Sequence, residues 1–277
     1  MNAGINHSRT ENYCIAFILF FFVLIPFVRL YTIPHTAYSS SPGTDDWDFY
    51  LRNALEIKNG GLLIPSFKDA YGYPGGFFYN YFVAACFTVF GTHVKLVYCI
   101  QSILLGCSVV LIFLAFRERM QTRIRYLFLV SLFVFALLDV SSNYSMKLLS
   151  ENLAVFTISG FVYFLLKGIS TGKTIHQLLA VLLLVVSVLT RPALQPYGVL
   201  FALLLMLYFF IYKRRERMKA FSLLIILLVG ISALAIRNYI VCGKFIFLPA
   251  YGMNESFSQI NQLSFSFLVK KVLFMFG

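Results

Sequence analysis

Apolar runs separated by short polar breaks occupy almost the whole chain, at about 14–30, 77–91, 94–116, 126–140, 151–167, 175–190, 197–212 and 220–236. An α-helix of about 20 apolar residues crosses the hydrocarbon core of a bilayer. Several of these runs are shorter than that, but their recurrence predicts an all-α fold: a polytopic transmembrane helix bundle, one membrane domain over residues 1–277. The polar stretch Met1–Tyr13 leads into the first run, and no small-x-small cleavage site follows it, so 14–30 is expected to be an uncleaved first span. One interval breaks the rhythm. Residues 31–76 are polar and rich in Gly and Pro, and predict a large first extracytoplasmic loop containing short helices, with 77–277 supplying the remaining membrane segments and short loops. The final apolar stretch, 263–277, is interrupted by Lys270 and Lys271 and reads as a further span cut short.

Composition supports a membrane setting. The chain is 60% hydrophobic and 12% charged, with mean hydropathy +0.81, whereas soluble domains are about 25% charged. The net charge of +12 would suggest nucleic acid in a soluble protein. Here the basic residues gather between spans. Arg117–Arg125 carries four Arg, Lys213–Lys219 carries five basic residues, and Lys167 and Lys173 flank a third break. Such loops are cytoplasmic by the positive-inside rule, which removes nucleic acid as an expected partner and leaves membrane lipids.

Charge and alternation conflict unless one apolar run does not cross. With 31–76 outside, two crossings between Gly76 and Arg117 would put every later basic loop outside. A single crossing puts them all inside. The run 77–91 is the one expected to lie in the interface or re-enter, because it is short, follows Gly75-Gly76, carries Asn80 among aromatics and ends at Gly91-Thr92-His93. An inverted chain or a miscounted boundary is the alternative. The preferred arrangement brings 31–76, Ser141–Glu151, Arg191–Tyr197 and Arg237–Gln262 to one outer face.

Those junctions hold the candidate chemistry. Thr44 precedes a predicted helix over 45–58, with Asp45 and Asp46 in its first turn and Gly60 or Gly61 at its end. Asp46, Tyr50 and Ala54 share one face of it. Helix capping accounts for one or two of Asp45, Asp46 and Asp48, but not for a third beside Trp47. Glu151 heads an apolar helix, where it serves either the helix dipole or an outer-face site shared with Asp46. Pro192 and Pro196 break the chain after Arg191, and Arg237 follows the last clear run. Both Arg lie outside in this topology, against the charge rule. Binding a lipid phosphate explains that, and so does snorkelling to headgroups. Tyr73 and its aromatic neighbours suit either an interfacial belt or stacking on a ligand, and Lys147 adds a cation to the Ser141–Glu151 junction. Charged residues near span ends, with none at span centres, favour chemistry at one surface over ion-coupled passage.

Two patterns carry no function. Gly168–Thr174 has the Gly-Lys-Thr of a phosphate-binding loop, but the first Gly is one residue too close and no strand precedes it. The five Cys show no metal or redox spacing.

The order of these motifs resembles the GT-C superfamily of membrane glycosyltransferases, in the branch of dolichyl-phosphate-mannose protein mannosyltransferases and lipid A aminoarabinose transferases. The resemblance runs over 14–255. It rests on Asp46-x-x-x-Tyr50-x-x-x-Ala54, Tyr73-Pro74-Gly75, Phe90-Gly91, Leu149–Asn152, Leu189–Pro192 and Arg237–Tyr239 with Gly243. It implies transfer of a sugar from a polyprenyl-phosphate donor to a hydroxyl on a lipid, glycan or protein acceptor, at the outer face of a cytoplasmic (inner or plasma) membrane. Asp46 matches the general base, with Asp45 and Asp48 flanking it. Glu151 matches a second acid, and Arg191 and Arg237 match phosphate-binding positions. Tyr50, Tyr73 and Lys147 join the expected substrate-binding set. The resemblance fixes no cofactor; a divalent cation, if used, would fall to Asp46 and Glu151. Trp47 stands where many members carry an acid, Tyr73-Pro74-Gly75-Gly76 replaces a double proline, and members are usually longer. A lipid-linked-sugar flippase, a polysaccharide polymerase and an inactive fragment are the other readings.

Overall fold

A computed structural model describes residues 2–32, 46–60, 77–137, 147–212 and 217–242, and among these the regular structure is helical throughout. In chain order the α-helices are α1 (Asn2–Thr32), α2 (Asp46–Lys58), α3 (Phe77–Phe90), α4 (Val94–Phe116), α5 (Thr122–Leu137), α6 (Glu151–Thr171), α7 (Thr174–Thr190), α8 (Gln195–Tyr212) and α9 (Arg217–Cys242). Short 3-10 turns, Arg117–Arg119 and Pro192–Leu194, follow α4 and α7.

Among the described residues, three stretches are long and apolar enough to cross a membrane: Thr10–Val28, Val94–Arg119 and Glu151–Thr171. Only 22% of the first window and 39% of each of the others is buried within the protein, so most of their apolar surface faces outward. Water penalises such exposure and hydrocarbon does not. On α8 the same holds for Val199, Leu200, Leu203, Leu204, Leu207 and Ile211, which are all exposed. Hydroxyls within the helices bond back to their own chain, as Ser102 does to the Tyr98 carbonyl and Thr157 to that of Leu153. This is how an apolar setting satisfies them.

Long-range contacts fix which helix ends lie together. Glu11, 1% exposed, pairs with Arg117 at 2.6 Å and Arg125 at 3.4 Å. At the other end of α1, the Lys95 ammonium sits 5.0 Å from the Tyr31 ring centroid. Helices α1 and α4 therefore run antiparallel. Gln101, near the start of α4, donates to the Lys147 carbonyl just before α6, which sets the beginnings of α4 and α6 side by side. A tight turn at Gly172 (φ 66°) sends α7 back along α6. One end of the packed helices thus holds Glu11, Arg117 and Arg125, with Lys167 and Lys173 at the matching end of α6. The other holds Lys95, Lys147, Glu151 and Arg191.

Helix α3 stays at this second end. Its first turn meets α4 through a bond from the Tyr79 hydroxyl to Gln101, and its last residue leads through Gly91 (φ 76°) straight into α4. At 14 residues, about 21 Å long at 1.5 Å per residue, it is shorter than the roughly 30 Å hydrocarbon core. It packs with α2 over Tyr50, Ala54, Tyr79, Val83 and Phe87, all buried.

Two boundaries differ from expectation. Helix α1 begins at Asn2, twelve positions before the apolar run at 14–30, because the Arg pair gives Glu11 a buried partner and lets the helix continue past it. Helix α9 continues to Cys242, so Arg237 lies within a helix rather than in a loop after it; the apolar Tyr239, Ile240 and Val241 carry the pattern on to Gly243. The Gly168–Thr174 segment is the end of α6, a turn and the first residue of α7. Gly230 of α9 lies against Val185 of α7, where even a Cβ would be too close. Small residues at such crossings let helix backbones approach.

Candidate functional site

Helix α2 was expected over 45–58 and spans Asp46–Lys58. Its end comes where the sequence places glycine: Asn59 N–H donates to the Leu55 carbonyl, and Gly60 takes φ 106°. Tyr50, Asn53, Ala54 and Ile57 recur at three- and four-residue steps, which puts one stripe toward the core. Tyr50, Asn53 and Ala54 are 3% exposed or less. Asp46 stands one turn before Tyr50 in this register.

The buried stripe connects to the start of α6. The Tyr50 hydroxyl donates to Ser150 Oγ at 3.3 Å, and the Tyr50 ring meets the Tyr79 ring edge-on, centroids 4.7 Å apart. The Tyr79 hydroxyl donates to Gln101 Oε1 at 2.8 Å, and Gln101 Nε2 donates to the Lys147 carbonyl at 2.9 Å. Burial pushes the Tyr79 hydroxyl well above the usual phenol range, and Tyr50, Tyr98 and the Glu151 carboxylate add to it. Tyr50, Tyr79 and Gln101 therefore seat α2 and α3 on the beginnings of α4 and α6.

Glu151 is the first residue of α6 and Arg191 follows the last residue of α7. Arg191 Nη1 lies 2.8 Å from Glu151 Oε1, with the side chains 39% and 31% exposed. Pro192 ends α7 here, and the Leu194 N–H closes the following turn on the Arg191 carbonyl. A guanidinium so placed can still accept an incoming oxyanion, and a phosphate would compete with Glu151 for it.

The other expected residues fall as follows. Tyr50 is in the core with its hydroxyl on Ser150. The Lys147 side chain is exposed while its carbonyl is held by Gln101. For Asp46, Asp48 and Arg237 only the helical backbone is described, and Asp45 and Tyr73 lie outside the described residues. Among the described residues no group of three His, Cys, Asp or Glu side chains gathers to hold a metal ion.

Sequence reasoning passed over several polar residues at this end. Asn53 (0% exposed), Asn80 (2%) and Gln195 (1%) are buried. Among the described residues, both side-chain polar atoms of Asn53 and Gln195, and Asn80 Oδ1, have no hydrogen-bond partner. They are uncharged, so a search for ionisable residues does not find them. Their available signal was position: Asn53 is polar on the apolar stripe of α2. Comparison of the chain with protein-family models, curated proteins and solved structures gave no match.

Proposed function

We propose that the chain is a polytopic membrane glycosyltransferase that moves a sugar from a polyprenyl-phosphate donor to an acceptor hydroxyl. The observation that carries the reading is the Glu151–Arg191 ion pair, about one-third open to solvent and joined through Ser150 and Tyr50 to the helix bearing Asp46. The order of motifs that resembles the GT-C superfamily supports it. So do the charges of the long apolar stretches, which sit near their ends, Glu11, Lys95 and Glu151 among them, in keeping with chemistry at a surface. By the positive-inside rule, the end holding Arg117 and Arg125 is cytoplasmic and the end holding Glu151 and Arg191 is extracytoplasmic.

In this reading Asp46 takes the acceptor proton as the hydroxyl oxygen attacks the anomeric carbon. The bond from that carbon to the phosphate oxygen breaks, and its electron pair leaves with the polyprenyl phosphate. One carboxylate acts directly and no glycosyl-enzyme forms, so the configuration inverts. Arg191 exchanges Glu151 for the departing phosphate, with Arg237 as the second cation.

The test is sugar transfer from a radiolabelled polyprenyl-phosphate hexose by the purified chain in nanodiscs, with a membrane extract as acceptor. Transfer by the wild type and none by a well-expressed Asp46→Asn variant is expected. Equal transfer by both sinks the proposal.

A further inference from the structure

The Glu11 cluster lies at the end of the helices away from Glu151, and its charges do not balance. Arg117 Nη2 and Arg125 Nη1 hold the two oxygens of one buried carboxylate, at 2.6 and 3.4 Å. Arg125 Nε also donates to the Met120 carbonyl, which fixes that guanidinium beside the turn into α5. The two Arg side chains are only 25% and 26% exposed. Two largely covered guanidiniums thus share a single negative charge, and one positive charge is left over. Glu118 does not supply the difference: it is exposed and makes no ion pair among the described residues. Arginine cannot shed its charge by deprotonating, so a covered excess of this kind calls for a counter-anion.

Position and chemistry describe that anion. The apolar stretch of α1 begins at Thr10 and that of α4 runs to Arg119, so both put the cluster where hydrocarbon gives way to water. Tyr13, Phe116, Ile124 and Leu127, each within two residues of one of the three charges, are exposed and suit acyl chains. Among the described residues the guanidiniums engage one nitrogen of Arg117 and two of Arg125. Each guanidinium carries five N–H donors, and the remainder match phosphate oxygens. We propose that Arg117 and Arg125 bind the phosphodiester of an anionic phospholipid in the leaflet at this end, while Glu11 holds the two guanidiniums side by side and neutralises one. Basic pockets at the cytoplasmic ends of membrane helices take such headgroups. A zwitterionic lipid brings the same phosphodiester but sets a choline cation beside the guanidiniums, so the site discriminates by headgroup charge. Arg119 and Arg123 stand outside it: Arg119 Nη1 turns back to the Ala115 carbonyl, and Arg123 is exposed. The inference is independent of sugar transfer.

The probe is radiolabelled dioleoylphosphatidylglycerol, bound at equilibrium to the purified full-length chain in a nonionic detergent at constant ionic strength. Unlabelled phosphatidylglycerol should displace it at least ten-fold more effectively than dioleoylphosphatidylcholine, and equimolar inorganic phosphate should not displace it. Arg125→Gln, which leaves the shorter Arg117–Glu11 contact in place, should weaken binding ten-fold or more. Arg119→Gln and Arg123→Gln together, which remove two charges from the same turn, should change it less than two-fold. Glu11→Gln keeps both guanidiniums and an acceptor oxygen but removes the competing charge, so it should tighten binding at least three-fold. The proposal is overturned if phosphatidylcholine competes equally, or if inorganic phosphate displaces the lipid and so marks a soluble anion as the ligand. It is overturned equally if Arg125→Gln binds as the wild type does, or if the Arg119 and Arg123 changes cost as much as Arg125→Gln, the mark of diffuse surface charge. Unchanged or weaker binding by Glu11→Gln overturns it as well, and that variant decides the matter if Arg125→Gln fails to fold.

Discussion

Arg191 Nη1 sits 2.8 Å from Glu151 Oε1, tying the end of α7 to the beginning of α6. A pair this open to solvent contributes little to stability, on the order of 0–1 kcal/mol. Single substitutions Arg191→Ala and Glu151→Gln should therefore shift the melting temperature by only a few degrees. Under the proposed function, donor binding separates the two roles: Arg191→Ala should lose it, and Glu151→Gln should tighten binding of bare lipid phosphate, since the competing carboxylate is gone. The charge reversal Glu151→Arg with Arg191→Glu should restore the pair without restoring transfer.

The relay from Tyr79 through Gln101 to the Lys147 carbonyl holds α3 to α4 and α6. Gln101→Leu strands the Tyr79 hydroxyl and the Lys147 carbonyl and should cost roughly 1–3 kcal/mol in detergent unfolding. Tyr79→Phe on the same background should recover part of that loss. Because Tyr79 ionises at higher pH when folded than when unfolded, its stabilisation is complete below about pH 10 and declines as pH rises above it. The alkaline decline should shrink in Tyr79→Phe, measured by melting temperature against pH.

At the crossing of α9 with α7, a methyl group on Gly230 would press on both Cγ atoms of Val185. Val185 is β-branched and has no free rotamer to yield. Gly230→Ala should cost roughly 1–3 kcal/mol, and Val185→Ala in the same chain should return most of it. Thermal unfolding of the two single variants and the double variant reads the coupling.

Glu11 is buried between Arg117 and Arg125. Glu11→Ala leaves two guanidiniums facing each other and should be the most damaging of these changes, about 3 kcal/mol, near the lower bound for broken buried pairs because both Arg retain some solvent. Lower yield and earlier detergent-induced unfolding are expected. Arg125→Ala alone, which removes the longer contact, should have the milder effect.

Local signals were legible in the sequence. Helix α2 could be placed to within one residue because its start and its glycine-bearing end are written in adjacent residues, and the apolar runs mark α4, α6 and α7 closely. What depended on distant partners was not. The polar N-terminal stretch reads as a tail until Arg117 and Arg125 supply a counter-charge for Glu11. Arg237 reads as a loop residue because a charge interrupts the apolar run there, whereas a helix tolerates one near its end. The pairing of Glu151 with Arg191 was suggested only as a shared face, since spacing along the chain says nothing about which side chains meet. Asn53 and Gln195 carry no mark in the sequence, and Asn80 shows there only as a polar break in the 77–91 run, because an unpaired carboxamide becomes conspicuous only once its surroundings are known.

The partners of Glu11 also set an order of events during synthesis. Arg125 is 114 residues downstream, and at roughly 5–20 residues per second it leaves the ribosome about ten seconds after Glu11 does. Until then the first helix carries an uncompensated carboxylate at one end. It can settle against its neighbours only when α4 and the beginning of α5 arrive, so the first segment to be made waits for the middle of the chain before it is locked.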